Sequence, residues 1–395
     1  MNTHCALCPV TLSEENWTKE HIIPNSIGGI VKIGGFICNS CNNNKGATWD
    51  TVLADQFHWL SLTLGIVRDR GEVPPAVVET VSGKRFNLLN NGSLEPAEFA
   101  FSRVEEDGSV KISMTPRTMK EATRKINELA KRYPKINKAQ ALEQAQIKTT
   151  YLKEPLKIQL QFGGELADRS VVKTALAFAF SRGIPSSICE NTQEFLLSEP
   201  VLDEAGQVLP SDASCCGLGY LSDLVKDRPH GAFFHCLGLY SDQASNQLFA
   251  YVEYFGLARW LIVLSKRYDG PPINEIYALD PTTGKPAHVT LNWPLADEDV
   301  KKIVSGYGFE NYHSELEKMI GPLLRRADER SLNNTLETAL KISMEKYGLK
   351  PGAPISKTQA VKIASEVANA MAAHISHQMD IPNREIIELP HNNTQ

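Results

Sequence analysis

Apolar residues recur at helical spacing shortly after residue 46. They stand at Trp49, Val52, Leu53, Phe57 and Leu60, which follows the 3.6-residue period of an α-helix. The pattern predicts a helix through residues 49–57. We expect its apolar face to pack against the N-terminal segment or against the next domain.

Residues 76–114 have the character of β-structure. Short β-branched or alternating stretches are separated there by turn sequences that contain glycine. The predicted strands cover residues 77–81, 84–88 and 110–114. We expect them to form hairpins at the start of a second domain.

The pattern predicts elements of both kinds further along the chain. An alternating strand is expected over residues 156–162, and a buried helix over Val171–Ser181, capped by Asp168 or Ser170. Three continuously apolar stretches are typical of central strands in a sheet that is covered on both faces. They lie at residues 232–240, 248–255 and 260–264.

The length and composition indicate two or three globular domains without a membrane span. The chain has 395 residues, of which 42% are hydrophobic and 22% charged. No apolar run reaches the roughly 18 residues of a membrane helix, and the N-terminus lacks the features of a signal peptide. Helices are expected over residues 297–347 and 356–378.

Two Cys-x-x-Cys pairs lie near the N-terminus. Cys5 and Cys8 form the first pair, and Cys38 and Cys41 form the second. Each pair makes a tight turn that can point two sulfurs at one ion, and this spacing is typical of a four-thiolate zinc site. Because four thiolates complete a tetrahedral sphere, the predicted zinc is structural and not catalytic.

The other four cysteines do not indicate secretion. Cys215 and Cys216 are adjacent, and adjacent cysteines rarely bridge each other. Cys189 and Cys236 are flanked by apolar residues, so we expect buried thiols and not nucleophiles. A reducing cytoplasm is therefore the predicted location.

Further polar residues accompany the cysteine pairs. Glu20-His21 lies between the pairs, Gly28-Gly29 follows it, and Asn42 comes directly after the last cysteine, with Lys45-Gly46 beyond. With this motif the first fifty or so residues resemble the HNH (ββα-metal) endonucleases, in the form that a four-cysteine zinc stabilises. The resemblance implies a short hairpin followed by a helix.

The resemblance also implies a role for each of these residues. His21 would be the general base that takes a proton from the attacking water. Glu20 and Asn42 would hold one Mg²⁺ or Mn²⁺ ion through oxygen atoms. That catalytic cation would neutralise the scissile phosphate and stabilise the leaving oxygen.

One position departs from the family. An Asn or another polar residue near the second strand usually fixes the ring of the base, but this stretch reads Lys32-Ile33-Gly34-Gly35. The orientation of His21 is then expected to come from a backbone carbonyl or from Asn25, Asn43 or Asn44.

The charge is unevenly distributed along the chain. The net charge of −5 is not that of a protein that coats nucleic acid. Residues 116–157, however, contain eleven Lys or Arg against four Glu, which gives a charge of about +7. This segment is either a surface that contacts phosphates or an ordinary solvated helix face.

The sequence therefore predicts an α+β fold with two parts. Residues 1–60 form an HNH nuclease domain with structural zinc. Residues 72–395 form a large mixed α/β sensor or specificity domain, with a mixed sheet and a helical C-terminal region from about residue 297. We recognise no family in this second part.

The leading functional interpretation is a metal-dependent DNA endonuclease whose second part controls targeting or activation. Bacterial restriction and anti-phage effectors share this plan, and a nucleotide ligand, a partner protein or homo-oligomerisation would fit it. One alternative is a zinc-dependent nucleic-acid-binding module that does not cut. Another is an enzyme with its site in the second part, although buried or turn roles are favoured for the residues concerned, His230, His235, Glu253 and Asp280.

Overall fold

The contacts in the computed structural model divide the chain into two units. One unit contains residues 1–76 and 159–327, and the other contains residues 77–158 and 328–395. The predicted division into functional domains at residues 1–60 and 72–395 stays a prediction, and the contacts group the residues differently. The residues described are 2–106, 109–117, 119–143, 152–158, 160–199, 202–203, 215–218, 224–226, 228, 231–295, 298, 300–301, 312–350 and 352–380.

A two-stranded hairpin stands near the start of the first unit. β1 (Glu20–His21) pairs antiparallel with β2 (Lys32–Ile33), and His21 lies opposite Lys32. The connection between them is tight at Gly29, because a Cβ added there would lie 1.7 Å from the carbonyl oxygen of Ile23. Only glycine permits so close an approach.

A continuous helical segment follows the hairpin. It begins as α1 (Asn39–Cys41), passes through a π-helical turn at Asn42–Gly46 and continues as α2 (Ala47–Leu64). The predicted helix through residues 49–57 is therefore confirmed and extends further at both ends. Its apolar face is buried at Trp49, Leu53, Phe57 and Leu60.

The later elements alternate between groups of strands and groups of helices. In chain order they are β3 (Ala76–Thr80), β4 (Arg85–Leu88), β5 (Leu94–Pro96), β6 (Ala100–Glu106), β7 (Ser109–Thr115), α3 (Met119–Arg132), α4 (Lys138–Glu143), β8 (Leu156–Lys157), α5 (Glu165–Ser181), α6 (Glu190–Leu197), β9 (Cys216–Leu218), β10 (Val225–Lys226), β11 (His235–Asp242), β12 (Gln247–Tyr254), β13 (Ala258–Ser265), β14 (Asn274–Asp280), β15 (Lys285–Pro286), β16 (Thr290–Leu291), α7 (Tyr312–Lys346) and α8 (Lys357–Asp380).

A six-stranded sheet forms the core of the first unit. Its strand order is β15-β14-β11-β12-β13-β9. The predicted central strands are confirmed as β11, β12 and β13, and runs of consecutive buried residues show that both faces are covered. The expected mixed sheet is instead antiparallel in all five of its pairings. Short turns join β11 to β12, β12 to β13 and β14 to β15, and strands joined in this way pair antiparallel.

Helix α5 joins the N-terminal segment to this sheet. It packs against α2 and against β11, β12 and β13, and its residues are buried almost continuously from Ala167 to Ala179. This packing is why the first 76 residues share a unit with the later segment. The helix begins at Glu165, before the predicted caps, because the chain enters it through Gly163 and Gly164, both at positive φ.

The second unit contains smaller sheets and exposed helices. One sheet has the order β5-β4-β3-β8, and β6 pairs with β7 in a separate hairpin. The strands predicted at residues 77–81, 84–88 and 110–114 are confirmed as β3, β4 and β7. The strand expected over residues 156–162 is limited to β8, and residue 159 lies outside the described residues.

The C-terminal region is helical, as the sequence predicts. The helix expected over residues 356–378 is confirmed as α8, and the one expected over residues 297–347 corresponds to α7, with residues 302–311 outside the described range. None of the described helices has the length and apolar character needed to cross a bilayer.

Candidate functional site

The four predicted zinc ligands converge on one point. The Sγ atoms of Cys5, Cys8, Cys38 and Cys41 all lie within 4.8 Å of one another. Those of Cys8 and Cys38 are 3.8 Å apart, which matches the edge of a tetrahedron with Zn–S bonds of about 2.3 Å. The donor set therefore fits structural zinc, and it is the one such cluster within the described part of the chain.

Backbone amides support the sulfurs of this cluster. The N–H groups of Leu7 and Cys38 donate to Sγ of Cys5 at 3.4 and 3.3 Å, and Cys41 N–H donates to Sγ of Cys38 at 3.4 Å. Burial raises the pKa of the Cys5 thiol to about 11, and the neighbouring sulfurs add to the rise. A bound zinc ion supplies the positive charge that ionises such thiols, so metal binding and folding are coupled here.

The residues predicted for catalysis line a single cleft in the first unit. The cleft has a volume of about 480 Å³, and Glu20, His21 and Asn42 all contribute to its wall. The other charged or imidazole side chains of the wall are Lys19, Asp50, Asp55, His58, Arg68 and Arg70. The fold thus brings the three predicted residues together, while their catalytic roles stay predictions.

His21 faces an acid from the segment after α2. Its Nε2 atom is buried, lies 3.4 Å from Oδ2 of Asp69 and has no well-aligned hydrogen bond. The ammonium of Lys32 is 2.5 Å from the same Asp69 oxygen. Burial, and then the charge of Lys32, lower the pKa of His21. The imidazole is therefore neutral at pH 7 and able to accept a proton.

Asn25 fixes the segment that carries Asp69. Its Oδ1 accepts the Asp69 N–H at 2.9 Å, and its Nδ2 donates to the carbonyl of Arg70 at 3.3 Å. The sequence left the orientation of His21 open among a carbonyl, Asn25, Asn43 and Asn44. The structure places Asp69 beside the ring with Asn25 behind it, whereas Asn43 and Asn44 bond to Asn39 and Ser40.

A buried lysine from α5 bridges two acids of the cleft. Nζ of Lys173 contacts Oε1 of Glu20 and lies 2.7 Å from Oδ2 of Asp50. The Lys173 side chain is 1% exposed, against 7% for Glu20 and 22% for Asp50. The hydroxyl of Ser170, also on α5, donates to Oδ1 of Asp50 at 2.6 Å. Helix α5 therefore holds both oxygens of Asp50.

The lysine in this bridge is charged. Burial acts to lower the pKa of Lys173, but the two carboxylates outweigh burial and raise it. Burial raises the pKa of Glu20, and the ammonium of Lys173 opposes that rise. An unpaired carboxylate at this depth would be costly. The group is thus one ammonium shared by two carboxylates.

Asn42 lies in the π-helical turn that precedes α2. A Cβ added at Gly46 would be 3.7 Å from Oδ1 of Asn42 and 3.6 Å from Nζ of Lys173, so both atoms border Gly46. π-turns occur frequently at functional sites. Together with Glu20 and the nearby Asp50, Asn42 provides the oxygen donors that a hard divalent cation prefers, and the residues present fit Mg²⁺ or Mn²⁺.

The residues considered for an alternative site have structural partners. His235 is fully buried and bonds to the carbonyl of Ile27. Glu253 is fully buried between Arg228 and Arg259. The carboxylate of Asp280 accepts bonds within its own turn, and His230 lies outside the described residues. Cys189 and Cys236 are fully buried, as predicted.

Three residues that line the cleft or contact its side chains were not assigned from the sequence. Asp50 follows Asn42 and Gly46 at intervals of four residues, so helical periodicity could have placed it on their face. Lys173 is the one charged residue in the mostly apolar stretch 171–180 of α5, which indicates a buried ion pair but does not identify its partner. Asp69 lies in an irregular segment, and no local pattern points to it.

These features define a ββα module whose four cysteines fit a structural zinc ion. Residues 5–58 match the family model of the HNH endonucleases, which confirms the resemblance. The chain therefore carries an HNH endonuclease domain near its N-terminus, with the nuclease-like, metal-binding function that this implies. No curated protein matches the chain.

Proposed function

We propose that this protein is a metal-dependent endonuclease that hydrolyses DNA phosphodiester bonds in the cleft formed by Glu20, His21 and Asn42. The observation that carries the proposal is the cleft itself. An imidazole with a lowered pKa and two oxygen ligands line one opening, within the segment that matches the HNH endonucleases. DNA is the substrate that such a domain suggests.

The mechanism begins with the removal of a proton from water by His21. Its Nε2 faces Asp69, so Nδ1 is the nitrogen that accepts the proton, and the Asp69 carboxylate then stabilises the imidazolium. Glu20 and Asn42 would hold Mg²⁺ or Mn²⁺, which would supply charge neutralisation at the scissile phosphate and at the leaving oxygen. Arg68 and Arg70, also in the cleft wall, attract the phosphates on either side.

We assign a further contact with the DNA backbone to the basic residues around α3. Between residues 119 and 143, seven Lys or Arg stand against three Glu. Lys120, Lys131 and Lys135 are exposed, and none has an ion-pair partner within the described residues. Unpaired cations on a helix and the loop after it are suited to phosphate contacts.

The residues after 72 would control targeting or activation. A nucleotide ligand or a partner protein is the proposed signal. Homo-oligomerisation is the proposed response, since two cleavage sites are needed to cut both strands of a duplex. A cytoplasmic anti-phage or restriction role fits this plan, and it rests on analogy of domain plan alone.

One observation favours a second candidate function. The Glu20 carboxylate is almost entirely buried and is already engaged by Lys173. A carboxylate that never leaves this ion pair would bind a cation poorly, and the module would then be a zinc-dependent nucleic-acid-binding domain without cleavage.

Substitution of His21 separates these candidates. We expect His21→Ala to keep one zinc per chain and its circular dichroism spectrum, but to lose nicking of plasmid DNA in Mg²⁺ or Mn²⁺. His288→Ala, at an exposed imidazole, is the control and should cut as wild type does. Normal cleavage by the His21 variant would refute the site. DNA binding without cleavage by the wild type, in both metals and with nucleotide ligands added, would support the second candidate.

A further inference from the structure

The bridge between Glu20, Lys173 and Asp50 has an unbalanced charge. Two carboxylates and one ammonium sum to −1, and the cluster is largely shielded from water, with Lys173 only 1% exposed. Charges in such a site are weakly screened by salt. The charges of a cation and an anion that bind beside this cluster must therefore come close to balancing its net charge of −1.

We propose that Lys173 makes divalent-cation binding at Glu20 dependent on a bound phosphodiester. This inference rests on the proposed function, because it takes Glu20 as a ligand of the cation. Lys173 belongs to α5, outside the segment that matches the HNH family. It acts on the cation through its fixed charge and is a positioning residue, not a catalytic one.

The argument is a count of charges. With Lys173 in place, a divalent cation changes the sum from −1 to +1, which leaves an excess positive charge in a partly dehydrated site. One phosphodiester then brings the sum to zero. Without Lys173 the two carboxylates alone would neutralise the cation, and the phosphodiester would no longer be needed for balance.

The other charges near the cleft do not alter this count. Lys19, Asp55 and Arg70 are exposed, so water and salt screen them. Asp69 is paired with Lys32. Arg68 is half-buried and donates to the carbonyls of Asn25 and Glu72. Its charge is the same in every variant compared below, so the differences between their charge counts do not depend on it.

The dependence is reciprocal. If a phosphodiester strengthens cation binding, the cation strengthens DNA binding by the same factor. The resting protein would then bind Mg²⁺ or Mn²⁺ weakly and complete its site only on DNA. While no substrate is bound, the ammonium of Lys173 thus supplies part of the positive charge that the cation would supply. It also offsets the repulsion between the carboxylates of Glu20 and Asp50.

A set of charge variants tests the proposal. Mn²⁺ affinity is measured on the zinc-loaded full chain by electron paramagnetic resonance. Each titration is run with and without a short phosphorothioate duplex that resists hydrolysis, and the Mn²⁺ bound by duplex alone is subtracted. The variants are Lys173→Met, with a cluster charge of −2; Lys173→Met/Asp50→Asn, with the wild-type charge of −1; and Asp50→Asn, with a charge of zero.

We expect Mn²⁺ affinity without DNA to follow these charges. Lys173→Met should bind Mn²⁺ at least about tenfold more tightly than wild type, and Asp50→Asn more weakly. The duplex should strengthen Mn²⁺ binding about tenfold or more in the wild type and in the double variant, but hardly at all in Lys173→Met. The matched control is Lys285→Met, at an exposed lysine, which should behave as wild type.

Two results would overturn the proposal. One is an unchanged Mn²⁺ affinity in Lys173→Met without DNA, and the other is the same enhancement by duplex in all variants. If Lys173→Met does not fold, the comparison of Asp50→Asn with the double variant gives the same test, because their charges differ by one. Glu20→Gln tests the proposed function separately: unaltered Mn²⁺ binding in that variant would remove Glu20 as a ligand, whatever Lys173 does.

Discussion

The imidazole of His235 joins the central sheet to the hairpin of the HNH module through a hydrogen bond from its Nε2 to the carbonyl of Ile27, 2.8 Å away. Its Nδ1 accepts the N–H of Phe255 at 3.2 Å. The ring is fully buried and uses both nitrogens, one as donor and one as acceptor, so only the neutral form satisfies the site. The connection between the two parts of the first unit therefore depends on an uncharged histidine.

This contact predicts a loss of stability in mild acid. Burial lowers the pKa of His235 to about 4, from about 6.5 in an unfolded chain. The stabilisation that the neutral His235 ring provides is fully present above pH 6.5 and is lost as the pH falls towards 4. The loss amounts to roughly 3 kcal/mol in the free energy of unfolding. Denaturant unfolding of zinc-loaded protein between pH 7.5 and 4.5 measures it.

The controls for this prediction are two glutamine variants. His235→Gln should be less stable at pH 7.5 but should lose less stability on acidification than wild type. His288→Gln, at an exposed position, should keep the wild-type profile. The zinc thiolates also titrate in acid, but their contribution is common to all three proteins and cancels. Parallel profiles for wild type and His235→Gln would contradict the assignment.

The zinc cluster predicts that loss of one thiol, that of Cys38, prevents the HNH segment from folding. Cys38→Ser removes a ligand and also the sulfur that accepts the Cys41 N–H at the start of α1. We expect zinc content to fall from one ion per chain to near zero and the HNH segment to unfold, because structural zinc binding contributes folding free energy. Elemental analysis and the fluorescence of Trp17 and Trp49 report the two effects.

Cys189→Ala is the matched control for the zinc prediction. Cys189 is a fully buried thiol outside the cluster. We expect this variant to lose some stability through the small cavity that it creates but to keep its zinc. Equal zinc loss in the two variants would show that the effect of Cys38→Ser comes from general destabilisation.

The basic residues around α3 predict a salt-dependent effect on DNA affinity. Reversal of Lys120, Lys131 and Lys135 to Glu should weaken binding to duplex DNA at all sequences. If each lysine contacts one phosphate, the slope of log K against log salt should fall by about 3. Reversal of Lys226, Lys266 and Lys285, which are also exposed, makes the same change in net charge. Equal losses in both triple variants would show that net charge, and not this surface, controls affinity.

Local sequence was sufficient to predict the parts of the site that lie close together in the chain. The cysteine spacing predicted a cluster that the fold assembles, and the period after Gly46 predicted α2. The side chains that contact Glu20 and His21 could not be predicted from local sequence. Lys173 is 153 residues from Glu20, and its position depends on how α5 packs between α2 and the sheet. Sequence periodicity gives the buried face of such a helix but not the element that it meets.

The contact between Asp69 and His21 predicts a kinetic effect without a change in fold. Asp69→Asn keeps the size of the side chain but removes the charge that supports the imidazolium. We expect kcat for DNA cleavage to fall about 10- to 100-fold, with KM changed little. Because the Asp69 carboxylate acts to raise the pKa of His21, its loss should move the acid limb of the pH–rate profile to lower pH.

Asp55→Asn provides the matched comparison for Asp69. Asp55 lines the same cleft and is exposed, but no contact with His21 involves it. Its neutralisation changes the charge of the cleft by the same amount, so it should leave the acid limb in place. Asn25→Ala removes the side chain that holds the backbone of Asp69, so it should also lower kcat. In the double variant with Asp69→Asn, we expect a kcat close to that of Asp69→Asn alone. Equal shifts in Asp55→Asn and Asp69→Asn would mean that cleft charge alone sets the pKa of the base, and that Asp69 has no positioning role.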